Sequence, residues 1–235
     1  MKYPAEKLLL CLLTVFFIGC EDKDKATQPE PQDIWDIEKN GIPKFVGTDY
    51  IELSRIYRIS KFRSSVGHDY SDAFEHCRSM KHYFEPKNDS DWSTVKIFSP
   101  VTGIVTRLEQ EWAGTKIEIA SDDYPAFRFS IFHLNPSVPR KINDRVTVGE
   151  QLGTHIGTQT MSDIAVMVND PTRQGRMVSY FEVITDALFS EYSKRGVMSR
   201  NDMIIPKAVR DSNPLTCNGD TFVSSDILDN WFVLQ

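Results

Sequence analysis

Short segments of alternating apolar and polar residues fill the middle of this sequence, and they constrain its fold more than any other feature. TKIEIAS (115–121) and AFRFSIFHL (126–134) alternate strictly, and SDIAVMVND (162–170) is rich in β-branched residues. Segments of this length, separated by Gly, Pro, Asn and Asp, are typical of antiparallel β-sheets. We therefore predict a mainly β fold, a twisted antiparallel sheet or sandwich.

Similar strand-like segments occur elsewhere in the chain, and helical patterns appear only near its C-terminal end. Further strands are predicted in IELSRIYRISKF (51–62), in both halves of VKIFSPVTGIVTRLEQ (95–110) and of RVTVGEQLGTHIG (145–157), and in MVSYFEVI (177–184), which would form a hairpin with 162–170. The segment 73–94 has no clear period and is predicted to be irregular. A helical period first appears at 185–194, and a second short helix at 201–210 would be interrupted by Pro206.

The N-terminus has the pattern of an export signal. Lys2 and Lys7 precede the apolar run LLLCLLTVFFIG, which ends directly before Cys20. The run is too short to span a bilayer but suits a signal peptide. With Gly19 before the cysteine it resembles a bacterial lipoprotein signal, in which Cys20 would become the lipidated N-terminus at the periplasmic face of the outer membrane. An ordinary secreted protein cut nearby is the alternative.

Charge and cysteine content narrow the function classes. The net charge is −6, and −7 once residues 1–19 are removed, which argues against nucleic acid or an anionic membrane surface as the main partner. Membrane attachment is therefore expected only through the lipid anchor.

Beyond Cys11 and Cys20, the chain has only Cys77 and Cys217. An even pair in an exported protein predicts a disulfide, and metal binding by the two thiols is the rival interpretation.

Four motifs follow one another between residues 99 and 157. In order, they are SPVTGIV, GTKIEI, FSIFHL and INDRVTVGEQLGTHIG. Together they resemble the core strands of the lysostaphin-type (LytM-like) zinc endopeptidases of peptidoglycan, over roughly residues 60–170. The resemblance implies a β domain at 46–184, after a signal peptide (1–19) and a tether (20–45), and before a C-terminal, partly helical extension (185–235).

The resemblance also implies where the first half of a zinc site lies. GHDYSDAF (67–74) places His68 and Asp72 at the positions of the family's first zinc motif, H-x-x-x-D. His133, in IFHL, matches the active-site histidine that helps to stabilise the transition state. From the residues alone, a hydrogen-bonded turn pair beside Gly67 is the default interpretation of His68 and Asp72. His133 alternates inward with Phe129 and Ile131, as a core or cleft histidine would.

The second half of that site is predicted to be missing. The family's last motif, H-x-H, falls on residues 162–170, where Asp163 replaces the first histidine, the base, and Ala165 replaces the second, a zinc ligand. Alanine has no metal-binding atom, so zinc is expected at most at an incomplete site, and no cofactor is assigned. Asp163 could substitute as a ligand or base, and His155 is a second candidate.

The other histidines and lysines nearby receive no role. His76 and His82 are predicted to lie at the surface or at the rim of the cleft. Lys81 follows a methionine, as does the modified lysine of biotin carriers, but its context CRSMKHYF is not a hairpin tip between strands. We therefore do not predict a biotin-type site.

These observations predict a degenerate, non-catalytic peptidase-like module of the cell envelope. It would bind peptidoglycan or regulate a cell-wall hydrolase through a groove lined by His68, Asp72, His133 and Asp163. The alternative is an active zinc metallopeptidase that cleaves peptidoglycan cross-bridges with Asp163 as a variant third ligand. The position of Asp163 relative to His68 and Asp72 distinguishes the two hypotheses.

Overall fold

The computed structural model describes residues 33–235, and nearly all of its strands belong to one antiparallel sheet. The strands in chain order are β1 Ile56–Ser60, β2 His82–Pro86, β3 Lys96–Phe98, β4 Gly103–Glu111, β5 Gly114–Ser121, β6 Phe127–Pro136, β7 Arg145–Val146, β8 Gln151–His155, β9 Ser162–Asn169, β10 Gln174–Val178, β11 Cys217–Asn218, β12 Thr221–Phe222 and β13 Trp231–Val233. The main path runs β13-β1-β2-β9-β6-β5-β4-β7. The predicted mainly β, antiparallel fold is confirmed.

Alternation along the central strands separates two groups of buried side chains. On β9, Ile164 and Val166 belong to the main hydrophobic core, while Ala165 between them belongs to a second cluster. This second cluster consists of Phe62, Met80, Phe132, Ala165 and Met177. Because successive strand residues point to opposite faces, Asp163 lies on the same face as Ala165. That face carries the site described below.

The segment 73–94, predicted to be irregular, contains the central strand β2. Its residues His82, Tyr83 and Phe84 are all buried, so no alternation marks it in the sequence. It pairs with β1 on one side and with β9 on the other, where Tyr83 lies opposite Asp163. The prediction for this segment was wrong because a strand covered on both faces reads as a continuous apolar run.

Two other predicted strands are shorter than expected. Residues 53–55 of the segment 51–62 form a 3-10 turn, and β1 begins only at Ile56. The segment 177–184 forms the predicted hairpin through β10, but it then turns into helix α2, Tyr180–Val183. Ser179 and Glu182 cap this helix reciprocally, as a capping box.

The remaining helices are short. They are α1 Ile37–Asn40, α3 Asp186–Ser193 and α4 Lys207–Ser212. Helix α3 confirms the prediction for 185–194, and Pro206 immediately precedes α4, after a 3-10 turn at Arg200–Met203. Among the residues that the structure describes, no helix is both long and apolar enough to span a bilayer.

The C-terminal segment is joined to the rest of the domain in three ways. Strand β13 pairs with β1 at the edge of the sheet. The predicted disulfide between Cys77 and Cys217 is present, with a Cα–Cα distance of 5.7 Å. The fully buried guanidinium of Arg210 donates through Nε to the carbonyl oxygen of Arg63 at 2.9 Å, and its other nitrogens donate to both carboxylate oxygens of Asp226 within the segment. The segment 185–235 therefore contributes a strand as well as the predicted helices.

Candidate functional site

A cavity of about 580 Å³ opens on the face of the sheet that carries Asp163 and Ala165. We call it the lysine pocket, because the ammonium group of Lys81 lies in its wall. Its lining comes from the loop before β2, from β2 itself, from β4, β5 and the turn between them, from β6 and from the segment before β9. The lining residues are Gly67, His68, Tyr70, Lys81, Tyr83, Glu111, Trp112, Lys116, Phe132, His133, Thr160 and Met161.

Lys81 is the central charged residue of this pocket. Its side chain is 2 % exposed, and its ammonium donates to Asp163 Oδ2 at 2.8 Å. A second contact, of 3.3 Å, joins the ammonium to His68 Nε2. The aspartate is completely buried, so the lysine supplies the positive charge that a buried carboxylate requires.

Aromatic rings enclose the same ammonium. Its nitrogen lies 3.8 Å from the ring centre of Phe132, 4.3 Å from that of Tyr70 and 5.5 Å from that of Tyr83. At these distances the negative faces of the rings attract a cation. Burial also raises the pKa of Tyr70 to about 12, so its phenol is neutral at physiological pH.

His68 is held in one tautomer by the loop that carries it. Its Nδ1 lies 2.9 Å from the carbonyl oxygen of Asp69, which can only accept a hydrogen bond. Nδ1 therefore carries the proton, and Nε2 offers a lone pair to Lys81. The adjacent Gly67 allows close approach, since a Cβ at that position would lie 2.2 Å from Tyr83 Oη.

His133 leaves the alternation of its strand. Thr115 pairs with Leu134 and Ile117 pairs with Ile131, so β6 carries an extra residue at this point, and His133 has a φ of 59°. Such a bulge re-aims a side chain. Strict alternation would place His133 on the same face as Phe129 and Ile131, but it lines the lysine pocket, the cleft position that the resemblance implied.

His133, which lines the pocket, approaches the completely buried Asp163 behind the pocket wall. His133 Nδ1 donates to the carbonyl oxygen of Ala113 at 2.9 Å, which leaves Nε2 facing Asp163 Oδ1 at 3.2 Å. Asp163 Oδ1 is nevertheless a buried atom without a hydrogen-bond partner, so the contact with His133 is not a hydrogen bond. The carboxylate is therefore held mainly by Lys81.

Asp72 does not lie in the lysine pocket with His68 and His133. Its Oδ1 accepts from the backbone N–H groups of Phe74 and Glu75, at 2.9 and 3.0 Å, and its Oδ2 accepts from that of Met177 at 3.0 Å. Asp72 is also not among the residues that line the lysine pocket. The carboxylate therefore accepts from backbone N–H groups and is not hydrogen-bonded to His68, so the alternative of a His68–Asp72 turn pair is also wrong.

These residues do not fit the zinc ion that the resemblance implies. His68 Nε2 and Asp163 Oδ2, the two atoms that could serve as ligands, both contact the Lys81 ammonium, and Ala165 offers no donor. Within residues 33–235, no group of three His, Cys, Asp or Glu side chains is arranged to hold a metal. A catalytic zinc requires three protein ligands.

The other histidines lie outside the pocket. His82 is buried and lies 2.8 Å from the Ser60 carbonyl oxygen and 2.7 Å from the Ser179 hydroxyl, and burial lowers its pKa to about 4. The predicted surface or rim position of His82 is therefore wrong. His155 is also buried, and burial lowers its pKa to about 4. His76 is exposed, as predicted.

Sequence reasoning missed Lys81, the residue at the centre of the pocket. The available signal was its position at the start of an apolar and aromatic run, KHYF, where a charged residue must find a partner if the run is a buried strand. The partner, Asp163, lies 82 positions away in the sequence, so only the strand pairing identifies it.

A second cavity, of about 480 Å³, lies against helix α3 and is lined in part by Asp49. The Asp49 carboxylate accepts hydrogen bonds from the phenols of Tyr180 and Tyr192 and from the backbone N–H of Tyr50. Burial raises the pKa of Asp49 from 3.8 to about 6. The folded chain therefore binds this proton more tightly than the unfolded chain does.

A pH-dependent stability follows for Asp49. Its stabilising contribution is complete below about pH 4 and is lost as the pH rises through about 6, because the unfolded chain then releases the proton first. We expect the free energy of unfolding of the wild type, relative to Asp49→Asn, to fall by about 2 kcal/mol between these limits. Urea unfolding at a series of pH values measures this difference. A difference independent of pH would contradict the assignment.

No protein-family model matches this sequence, and no curated protein matches it. Several solved structures are similar to part of the chain. A LytM protein from Ruminococcus gnavus is 15% identical, with a TM-score of 0.34, over 43% of this chain and 43% of that one. This chain thus spans less than half of the length of that protein.

Two further structures show the same kind of likeness. The catalytic domain of lysostaphin, an antimicrobial peptidase from Staphylococcus simulans, is 17% identical over 50% of this chain and 84% of its own, with a TM-score of 0.34. A chain of the SpoIIQ–SpoIIIAH pore-forming complex is 12% identical over 63% of this chain and 96% of its own, with a TM-score of 0.43. The likeness to lysostaphin-type structures is thus found over part of the chain and at low identity.

Proposed function

We propose that this chain is a non-catalytic, peptidase-like module of the bacterial cell envelope that binds peptidoglycan through the lysine pocket. The observation that supports it is the Lys81–Asp163 ion pair of 2.8 Å, which uses the carboxylate that a zinc peptidase would need as ligand or base. A zinc-bound water and a free base are required for metal-assisted hydrolysis. The pocket lacks this arrangement but remains open to a ligand.

The rim of the pocket suits a glycopeptide. Trp112, in the β4–β5 turn, is 79% exposed, and its ring centre lies 6.2 Å from that of His133. An exposed indole beside a polar cleft offers a flat apolar face on which a sugar ring can stack. Beside it, Thr160 and the His133 imidazole line the cleft as hydrogen-bonding groups.

The charges at the rim favour a ligand that carries an amino group. Lys116 is paired with Glu109 at 3.0 Å, so its charge is balanced within the protein. Glu111 also lines the pocket, and no cation of the described part of the chain lies within ion-pair distance of it. A peptide stem with a free ammonium group complements this carboxylate.

The proposal includes the cellular location. Cys20 would be lipidated and would hold the domain at the periplasmic face of the outer membrane, within reach of peptidoglycan or of a cell-wall hydrolase that it regulates. Cys20 and the tether up to residue 32 lie outside the described residues. Metabolic labelling with a palmitate analogue tests this part, because labelling should be lost in Cys20→Ala.

Binding of soluble muropeptides to the full-length protein in detergent tests the main proposal. We expect saturable binding that Trp112→Ala weakens about tenfold, a loss of about 1.4 kcal/mol, because the stacking surface is removed. The matched control is Met198→Ala, which truncates another apolar side chain that is 83% exposed but does not line the pocket. Isothermal titration calorimetry measures both.

The same samples distinguish binding from hydrolysis. Mass spectrometry of the muropeptides after incubation with zinc should show unchanged masses. Zinc-dependent cleavage would support the alternative, an active peptidase with Asp163 as the third ligand. Absence of any binding, or equal binding by Trp112→Ala, would overturn the pocket as a peptidoglycan site.

A further inference from the structure

We propose that Lys81 is a built-in replacement for a metal ion: its ammonium is the cation around which His68 and Asp163 are organised. The ammonium takes one lone pair from each residue, at 3.3 Å from His68 Nε2 and 2.8 Å from Asp163 Oδ2. These are the atoms that a metal would use. The inference does not depend on which ligand the pocket binds.

The second contacts of the imidazole resemble those of a metal ligand. Histidines that bind metals usually donate their other ring N–H to a carbonyl or carboxylate, which fixes the tautomer. His68 does so to the carbonyl oxygen of Asp69. The Asp69 carboxylate in turn accepts from the backbone N–H groups of Cys77 and Arg78, at 3.2 and 3.1 Å, and so braces the loop.

The charge balance requires a cation at this point. Asp163 is completely buried, and Lys81 is the only described cation that makes a hydrogen bond with its carboxylate. An unpaired buried carboxylate costs several kcal/mol. His133 is close, but its contact with Asp163 Oδ1 lacks hydrogen-bond geometry.

The aromatic surroundings suit the ammonium group of Lys81. The rings of Phe132, Tyr70 and Tyr83 lie 3.8 to 5.5 Å from the Lys81 nitrogen and offer it their π-faces. An alkylammonium ion suits such a box. The covalent attachment of the cation to the chain also removes the entropy cost that binding a free ion would carry.

Lys81→Ala tests this inference, because it removes the cation and leaves its partners in place. We expect the full-length variant to have a lowered Tm, which propylammonium chloride raises again by about 5 °C. We also expect it to bind zinc, measured by calorimetry, with a similar rise in Tm. The wild type should show neither response. Lys116→Ala, which removes the other lysine of the pocket, is the matched control and should also show neither.

Two further variants make each outcome decisive. Lys81→Met keeps the volume of the side chain and should respond to neither cation, since no space is opened. His68→Ala combined with Lys81→Ala should lose the gained zinc binding. If Lys81→Ala folds only when propylammonium or zinc is present, the inference is supported. If it responds no more than the wild type does, or if the wild type itself binds zinc through His68, the inference is overturned.

Discussion

Asp163→Ala is expected to lower the free energy of unfolding by about 3–5 kcal/mol. The substitution leaves the Lys81 ammonium, which is 2 % exposed, without its carboxylate partner. Removing one member of a buried ion pair is costly because the other charge stays buried and uncompensated. Urea unfolding followed by tryptophan fluorescence measures the loss.

The combination Lys81→Met with Asp163→Leu separates charge from packing. Replacing both members of a buried pair by apolar side chains of similar volume is often nearly neutral, so the double variant should recover most of the lost stability. The control is Asp122→Ala, which removes the partner of Arg145 in a more exposed ion pair and should cost less than about 1 kcal/mol. A loss of similar size in Asp163→Ala and Asp122→Ala would contradict the account.

Loss of the disulfide is expected to cost about 4–5 kcal/mol. Cys77 and Cys217 are 140 positions apart, and the loop-entropy estimate for closing a chain of that length is about 5 kcal/mol. The effect acts mainly on the unfolded chain, because β13 and the hydrogen bond from Arg210 to the Arg63 carbonyl oxygen also hold the C-terminal segment in the folded state. We therefore expect the reduced protein to stay folded but to unfold at a lower urea concentration.

Comparison with a cysteine-free variant isolates the disulfide. Cys77→Ser combined with Cys217→Ser should match the reduced wild type in stability and should not respond to dithiothreitol. If reduction changes the free energy of unfolding of the wild type by less than about 1 kcal/mol, the bond does not have the stabilising role assigned to it. A response of the double variant to the reductant would reveal another cause.

The long central strands could be predicted because each has one face in the main core. On β5, Ile117 and Ile119 are buried in that core, and between them Glu118 faces the other side. Strict alternation of this kind is the strongest sequence signal for a strand. The disulfide was also predictable, since Cys77 and Cys217 were the only pair left after the N-terminal cysteines.

Strand β2 and the bulge in β6 could not be predicted in the same way. Residues 82–84 are buried on both faces, so they lack alternation, and the register shift near His133 depends on pairing with β5. Both features place site residues, β2 by its connection to Lys81 and the bulge by re-aiming His133. The alternation of apolar and polar residues in the sequence therefore indicates neither the strand β2 nor the bulge in β6.

The candidate site was therefore only partly foreseen. His68, His133 and Asp163 come together as the family resemblance implied, but Asp72 uses its carboxylate on local backbone N–H groups. The i,i+4 spacing of His68 and Asp72 is compatible with both outcomes, because short polar side chains hydrogen-bond readily within a turn. Lys81, the cation that contacts both His68 and Asp163, was not foreseen, because its ion pair with Asp163 joins residues that are far apart in the sequence.

A crystal structure of the wild-type protein grown with zinc, with anomalous data collected at the zinc edge, tests the central claim most directly. The account predicts the Lys81 ammonium between His68 and Asp163, and no anomalous peak in the lysine pocket. A zinc peak bonded to His68 and Asp163, with Lys81 turned out of the pocket, would contradict it.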